Sequence, residues 1–194
     1  SGANVIQNTT VANEGLVKVK RNSADMIRLD YTGWSSPVTG QNLFDFTPLT
    51  LTNRFYEYNG GAGYTTVSNV VTGGTGATFT AGRGYLLRAP NTWNPTTPTS
   101  YPGSFTGTLN NGNGYTPAVV VGYNMVGNPY PSQIDAATFL SNNSTLGTTT
   151  LYFWSHTLAA SGGSYAQSNY ATFNGTGGTP AQAGGATPDG TIQV

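Results

Sequence analysis

The sequence predicts an all-β fold, a β-sandwich or jelly-roll-like pair of sheets built from two related halves. Short runs rich in β-branched and aromatic residues recur along the chain, as strands require. Clusters of Gly, Asn and Pro separate these runs and supply the positive φ angles of tight turns. The predicted strands are 16–21, 54–58, 77–80, 84–88, 118–126 and 150–154.

The first and fifth of these strands differ in pattern. Residues 16–21 (LVKVKR) alternate apolar and basic residues, which is typical of a half-exposed strand. Residues 118–126 (AVVVGYNMV) are almost continuously apolar, which indicates a buried strand.

At most one short helix is predicted, near 133–141. Ser132 and Asp135 fit an S-x-x-D capping box ahead of the helix formers at 136–140. The Pro-rich segment 91–104 is predicted to be an irregular loop, because proline removes a backbone donor and fixes φ.

Two parts of the chain, about 25–90 and 118–194, are similar enough to predict an internal repeat joined by the loop 91–104. The matched segments are 31–41 with 123–133, 54–59 with 151–156, and 61–69 with 162–169. The alternative is that β-proteins reuse turn residues and the match is chance. We expect a single β domain over 1–194, as part of a longer chain whose repeat lacks its final strand.

The composition excludes several classes of function. Only 7% of the 194 residues are charged and the net charge is zero, so a basic nucleic-acid-binding surface is not expected. The absence of cysteine excludes disulfides and thiolate metal sites. No run of 18 apolar residues occurs, so no membrane insertion is expected.

Charge is unevenly distributed along the sequence. All seven cations lie before residue 90, and only Asp135 and Asp189 carry charge after it. An Arg at residue 54, 83 or 88 that paired with Glu57 or an Asp could fix strand register or an interdomain contact, but a solvated sheet edge is the favoured interpretation.

Five segments resemble a module of large secreted, adhesin-like surface proteins of Bacteroidetes, especially flavobacteria, that the type IX secretion system exports. They are WSSPVTG (34–40), RFYEYN (54–59), GRGYLLRAP (82–90), GYNMVGNPYPSQID (122–135) and YATFNGTGG (170–178). The resemblance covers roughly residues 16–194 and is most specific in GNPYPS and WSSPV. It implies an extracellular, cell-surface location and carries over no catalytic residue.

Aromatic residues are the candidate ligand groups, because sugar faces stack on exposed rings beside amide hydrogen-bonding groups. Trp93 in the Pro-rich loop is the best candidate for an exposed ring, and Tyr101 and Tyr115 lie in the same irregular region. Asn128 and Tyr130 are candidates in the rigid GNPYPS loop, where a scaffold role is the favoured interpretation.

Trp34 and Trp154 fall inside strand patterns and are predicted to lie in the core.

No catalytic or metal constellation is predicted. His156 is the single histidine and has no nucleophile motif around it. Asp30 and Asp45 could face each other as in a glycosidase, but no pattern selects them. No cofactor is expected, although one structural calcium held partly by backbone carbonyls stays open.

The sequence therefore favours a non-catalytic structural or adhesive module of an extracellular bacterial surface protein. A carbohydrate-binding module is the alternative, and a polysaccharide hydrolase a weaker one. The expected partners are neighbouring domains of the same polypeptide, surface polysaccharide, or another protein strand added at an open sheet edge.

Overall fold

A computed structural model of the protein describes residues 5, 7–112, 115, 117–147, 149–155, 165 and 169–181, and the backbone of 191–192. The chain divides into two compact units, residues 1–132 and 133–193. All described strand pairs are antiparallel, and among the described residues one helix reaches seven residues. The predicted all-β class is confirmed.

The described residues of the first unit form seven strands and a one-turn helix, α1. They are β1 (Val17–Met26), β2 (Tyr31–Trp34), β3 (Val38–Thr39), α1 (Leu43–Phe46), β4 (Phe55–Tyr58), β5 (Tyr64–Thr66), β6 (Tyr85–Arg88) and β7 (Thr99–Leu109). The sequence interpretation did not anticipate α1, which starts where the Asn42 side chain accepts a hydrogen bond from the Asp45 amide at 3.0 Å.

One sheet of this unit has the order β1-β7-β3. The prediction that 91–104 is a loop is wrong from Thr99 onward, where the central strand β7 begins. Pro102 is tolerated because it pairs with Asn22 next to a β-bulge in β1, while β3 pairs only with residues 108–109 of β7. Proline in a sheet is confined to such bulges and unpaired edges.

The second sheet of this unit has the order β2-β6-β4-β5. Phe55, Tyr85 and Leu87 point from this sheet into the same cluster that receives Val38 and Phe105 from the first sheet. The core therefore lies between two sheets, as in a β-sandwich. Trp34, predicted to lie in the core, is 6% exposed.

The described residues of the second unit form a smaller set of elements. They are β8 (Ile134–Asp135), α2 (Ala136–Asn142), β9 (Leu151–Trp154), β10 (Tyr170–Phe173), β11 (Gly178–Thr179) and β12 (Thr191–Ile192). β10 lies between β9 and β11, and β8 pairs with β12.

The core of the second unit packs α2 against its strands. Ala136, Leu140 and Phe173 form its buried cluster. Trp154, predicted to lie in the core, is half-buried and makes edge contacts with the rings of Tyr165 and Tyr170.

The predicted strand at 118–126 is wrong. Val119, Val120 and Val121 are exposed, and only Val126 joins a ladder, by an isolated bridge to Arg83. The Asn124 side chain accepts from the Val120 amide at 2.9 Å and donates to the Val120 carbonyl at 2.8 Å, closing a turn in place of a strand partner.

The predicted strand at 77–80 reduces to one bridge, between Thr78 and Asn42.

The helix predicted near 133–141 is present as α2 but begins at a different cap. Asp135 is the N-cap, and its carboxylate accepts a hydrogen bond from the Thr138 amide at 2.7 Å. Ser132 instead donates from its hydroxyl to the Val5 carbonyl at 2.9 Å. Neither α2 nor any other helix in the described ranges is long and apolar enough to cross a membrane.

Candidate functional site

Trp93 and Tyr101 lie together, with ring centroids 5.5 Å apart. The indole N–H of Trp93 donates to the Met26 carbonyl at 3.0 Å, and the Tyr101 hydroxyl donates to the Phe46 carbonyl at 2.9 Å. Both rings are half-buried, and Tyr101 also makes edge contacts with Trp34 and Phe46. The polar groups that could orient a ligand are therefore engaged in bracing the backbone.

Tyr115 and Tyr130 form a second pair, with ring centroids 5.8 Å apart. The Tyr130 hydroxyl donates to the Gly112 carbonyl at 2.6 Å, and the Tyr115 hydroxyl accepts from the Asn111 amide at 3.0 Å. Burial, with a smaller contribution from Tyr115, raises the pKa of Tyr130. In the described part of the chain, no hydrogen bond or ring contact links this pair to Trp93 and Tyr101.

Asn128 is 1% exposed, so its amide does not face solvent. Its side chain donates to the Ser132 carbonyl at 2.7 Å and accepts from the Tyr130 amide at 2.9 Å. These bonds fold the GNPYPS segment into a braced turn.

The WSSPV and GNPYPS segments, which carry the most specific part of the resemblance, are hydrogen-bonded to each other. Ser35 donates from its hydroxyl to the Asn128 carbonyl at 2.9 Å. The side-chain amide of Asn110, itself 1% exposed, donates to the carbonyls of Ser36 at 3.2 Å and Pro129 at 2.9 Å. We call these two segments with Asn110 the latch; its contacts are those of a scaffold.

A different surface, the outward face of the sheet β2-β6-β4-β5, carries tyrosines. Phe55 of β4 points into the core at 0% exposure, so strand alternation turns Tyr56 and Tyr58 to the opposite face. Tyr56 makes an edge contact with Tyr31 at 5.8 Å, and Tyr58 with Tyr64 at 5.1 Å. We call this surface the tyrosine face.

Two arginines lie at one end of the tyrosine face. Arg88 pairs with Tyr31 across β6 and β2, while Leu87 points into the core. Arg54 ends a 3-10 turn (Thr52–Arg54) directly before Phe55, which pairs with Leu87. Its charge lowers the pKa of Arg88.

Arg88 is unusually enclosed for an arginine, with 8% of its surface exposed. Its Nη2 donates to Asn91 Oδ1 at 3.0 Å, while its buried Nε has no acceptor in the part of the chain that the structure describes. A buried N–H without an acceptor costs stability, most of all on a charged group. Among the described residues, the guanidinium therefore has one N–H group without an acceptor, at a position that is largely shielded from solvent.

The electrostatics of this end follow from burial and like charge. Burial is the largest cause that lowers the pKa of Arg88. Tyr31, the next largest cause, raises it; the charges of Arg54 and Arg28 lower it further, and Tyr56 has a smaller raising effect. Burial likewise raises the pKa of Tyr31, and Tyr56 adds to the increase, partly through a hydrogen bond. The causes of both shifts are burial and the neighbouring Tyr and Arg side chains.

The sequence interpretation did not select the tyrosine face, although part of the signal was present. Alternation in RFYEY separates Phe55 and Glu57 from Tyr56 and Tyr58. The proximity of Arg54 to Arg88 depends on how β4 and β6 meet, which no local pattern reveals.

The remaining candidate groups have structural partners or lie outside the described residues. Arg83 forms an ion pair with Glu57 at 3.0 Å, which is one of the arginine pairings that the sequence left open beside the favoured solvated edge. Asp30 accepts from the Ile27 amide at 2.9 Å, and Asp45 from the Thr72 hydroxyl at 2.6 Å. His156 and Asp189 lie outside the described residues.

Among the residues that the structure describes, no group of three or more His, Cys, Asp or Glu side chains could hold a metal ion.

Fold and contacts together define an all-β protein with a sandwich unit braced by buried side-chain amides. The chain belongs to the family described as Domain of unknown function (DUF8693), whose model matches residues 1–193. Comparison with curated proteins and with solved structures gave no significant match.

Proposed function

We propose that this chain is a non-catalytic structural or adhesive module of an extracellular bacterial surface protein, of the type that Bacteroidetes export by type IX secretion. Its partners are neighbouring domains of the same polypeptide. The observation that carries the proposal is the latch, because the motifs most specific to the resemblance are buried and hydrogen-bonded to one another.

The use of the predicted ligand groups also supports this proposal. Trp93, Tyr101 and Tyr130 each donate to a backbone carbonyl. A side chain that braces the backbone stabilises a module, whereas a ligand platform needs its ring face and polar tip available.

The location is tested on intact cells of the source organism. Brief protease treatment of washed cells is followed by mass spectrometry of the released peptides and by the intact mass of the extracted polypeptide. Peptides of this chain released with no cytosolic marker, from a polypeptide well above 20.2 kDa, are expected. Recovery only after lysis would overturn the extracellular proposal.

Carbohydrate binding is the second candidate function, and the tyrosine face favours it. Tyr56 and Tyr58 lie two residues apart on one strand, about 7 Å along it, and present rings on one face. Rings in such a row stack against the apolar faces of successive sugars.

Binding of immobilised polysaccharides by the full chain tests this candidate. Tyr58→Ala is expected to weaken retention on a bound polysaccharide, and Tyr152→Ala, an exposed tyrosine on β9, serves as the matched control. Equal retention by both variants, or no retention of the unmodified chain, would reject the tyrosine face as a sugar platform.

A further inference from the structure

The described part of the chain contains Asn–Gly pairs at 59–60, 111–112 and 174–175. At such a pair the backbone nitrogen of the glycine can attack the side-chain carbonyl carbon of the asparagine, because glycine has no Cβ to hinder the approach. A folded chain speeds this step where it already holds the two groups together. At Asn111 the backbone amide of Gly112 donates to Oδ1 at 2.8 Å, so the attacking nitrogen lies beside the carbonyl group that it would attack.

The side-chain oxygens of the other two asparagines have different donors. Asn59 Oδ1 accepts from Arg83 Nη2 at 2.8 Å. Asn174 Oδ1 accepts from the Gly177 amide at 3.0 Å. The three pairs share a sequence but not a geometry, and the geometry selects Asn111.

Asn111 also holds a segment near the N-terminus. Its Nδ2 donates to the carbonyls of Thr9 and Val11, both at 2.7 Å. Residues 8–12 are exposed, and Val11 has 71% of its surface in contact with solvent. We call residues 7–13 the strap; hydrogen bonds from Asn111, rather than buried side chains, fix its middle.

We propose that Asn111 is a site of spontaneous deamidation, and that its conversion to isoaspartate or aspartate releases the strap. The Gly112 nitrogen forms a bond to Asn111 Cγ as it loses its proton, the Cγ–Nδ2 bond breaks, and Nδ2 leaves as ammonia with that proton. The resulting succinimide adds one water molecule and opens at either of its carbonyl groups. The reaction needs water alone, so the proposal does not depend on the function proposed above.

The same contacts explain the reaction and its consequence. The carbonyls of Thr9 and Val11 accept from Nδ2, and they would stabilise the positive charge that develops on this nitrogen as ammonia departs. The product carboxylate has acceptors and no donors, and it would face the same two carbonyls. Two hydrogen bonds are therefore replaced by repulsion between oxygens, and the strap loses the contacts that fix its middle.

The reaction is tested by incubation of the full chain at neutral to mildly alkaline pH, followed by peptide mass spectrometry. Fragment ions locate each converted residue, which is necessary because Asn113 also precedes a glycine. In the folded chain we expect Asn111 to convert at least about tenfold faster than Asn174, with isoaspartate identified by an isoaspartyl methyltransferase. In urea the two rates should come within about threefold of each other, because the geometry is lost while the sequence remains.

The consequence is tested by thermolysin cleavage of the strap. Asn111→Asp carries the charge of the product and is expected to raise the cleavage rate near Val11 at least about threefold. Asn174→Asp adds the same charge in the second unit and is the matched control, with a rate within about twofold of the unmodified chain. Cleavage of the incubated chain, in which Asn111 has converted, measures the same release without a substitution.

The outcomes distinguish the geometry from the sequence. Conversion of Asn174 as fast as Asn111 in the folded chain would overturn the proposal, and so would a preference for Asn111 that persists unchanged in urea. Conversion to aspartate without isoaspartate would indicate direct hydrolysis and would exclude the attack by Gly112. Unchanged strap cleavage in both Asn111→Asp and the converted chain would overturn the release of the strap.

Discussion

Phe105 lies at the centre of the aromatic cluster of the first unit and has no exposed surface. Its ring stacks on Phe46 at 4.5 Å and makes edge contacts with Trp34 and Phe79. Phe105 thus connects β7 of the first sheet to Trp34 of β2, which belongs to the second sheet, and to Phe46 of α1. Aromatic pairs of this kind stabilise a core beyond the area they bury.

Phe105→Ala is expected to lower the free energy of unfolding by about 3–5 kcal/mol, because the lost ring leaves a cavity between the sheets. Urea unfolding followed by tryptophan fluorescence measures the change. Val121→Ala, at a fully exposed position, should stay within about 0.5 kcal/mol. A similar small change for Phe105→Ala would mean that the two sheets do not share this core.

Asn110 is the residue on which the latch depends. Beyond its two donated hydrogen bonds, its Oδ1 accepts from the Thr39 hydroxyl at 2.7 Å. Truncation would leave buried carbonyls of Ser36 and Pro129 without this donor. Each unsatisfied buried polar group costs about 1–3 kcal/mol.

Asn110→Ala is therefore expected to destabilise the protein by at least about 2 kcal/mol and to speed hydrogen exchange in 127–132. Asn53→Ala, at an exposed position, is the matched control and should change stability by less than about 0.5 kcal/mol. An unchanged exchange rate in 127–132 would show that the latch holds without Asn110.

The element α2 shows how a single carboxylate positions a helix. Asp135 is fully exposed, and hydrogen bonds from the Thr138 hydroxyl and then the Thr138 amide lower its pKa below the ordinary 3.8. A lowered pKa in the folded state means that the cap stabilises α2 above pH 3.8. The stabilisation is lost as pH falls through the folded-state pKa.

We expect an NMR titration of the Asp135 carboxyl to give a pKa below 3.8 in the full chain. Thr138→Val keeps the amide donor but removes the hydroxyl, so the pKa should rise part of the way toward its ordinary value. Asp135→Asn should keep a cap while removing the pH dependence of α2. A pKa that is the same in the Thr138→Val variant would contradict the role of the hydroxyl.

At the scale of the whole molecule, the boundary between the compact units falls at 132/133, within the second predicted repeat. Each unit still shows a similar local order. In the first, α1 follows Gln41 and the strand β4 comes next; in the second, α2 follows Gln133 and β9 comes next. The internal repeat stays a prediction that these parallels support.

Residues 1–132 alone are expected to fold and to unfold in one cooperative transition, because the larger core and the latch both lie within them. Dispersed amide resonances and a single thermal transition would check this. Residues 1–117 form the matched control, since they lose the Asn128 and Pro129 acceptors and should be markedly less stable. Equal stability of the two fragments would contradict a role for the latch.

Local chemistry explains which predictions succeeded. β1, β4, β6 and β9 coincide with runs of alternating or aromatic residues, and α2 with a capping carboxylate. The failure at 118–126 has a local cause, a side chain that competes with strand pairing for the backbone. The valines at 119–121 have strong strand propensity, yet the Asn124 amide takes the Val120 backbone groups.

The candidate site was less accessible to sequence reasoning than the fold. Trp93 and Tyr101 were chosen because proline indicates a loop, but Tyr101 lies in β7 and both side chains bond to backbone carbonyls. Alternation along β4 is enough to place Tyr56 and Tyr58 on one face of the strand. Which residues lie at the arginine end of that face depends on the pairing of β4 with β6, which the sequence does not show.

The sequence alone determined the all-β class, the low charge and the positions of several strands, because composition, alternation and turn residues act over a few neighbours. Only the tertiary structure decided that the motif residues close the latch and that Tyr56 of β4 and Tyr31 of β2 meet on one sheet face. These contacts depend on strand order and register, which are set by pairings between residues far apart in the sequence, such as Phe55 with Leu87.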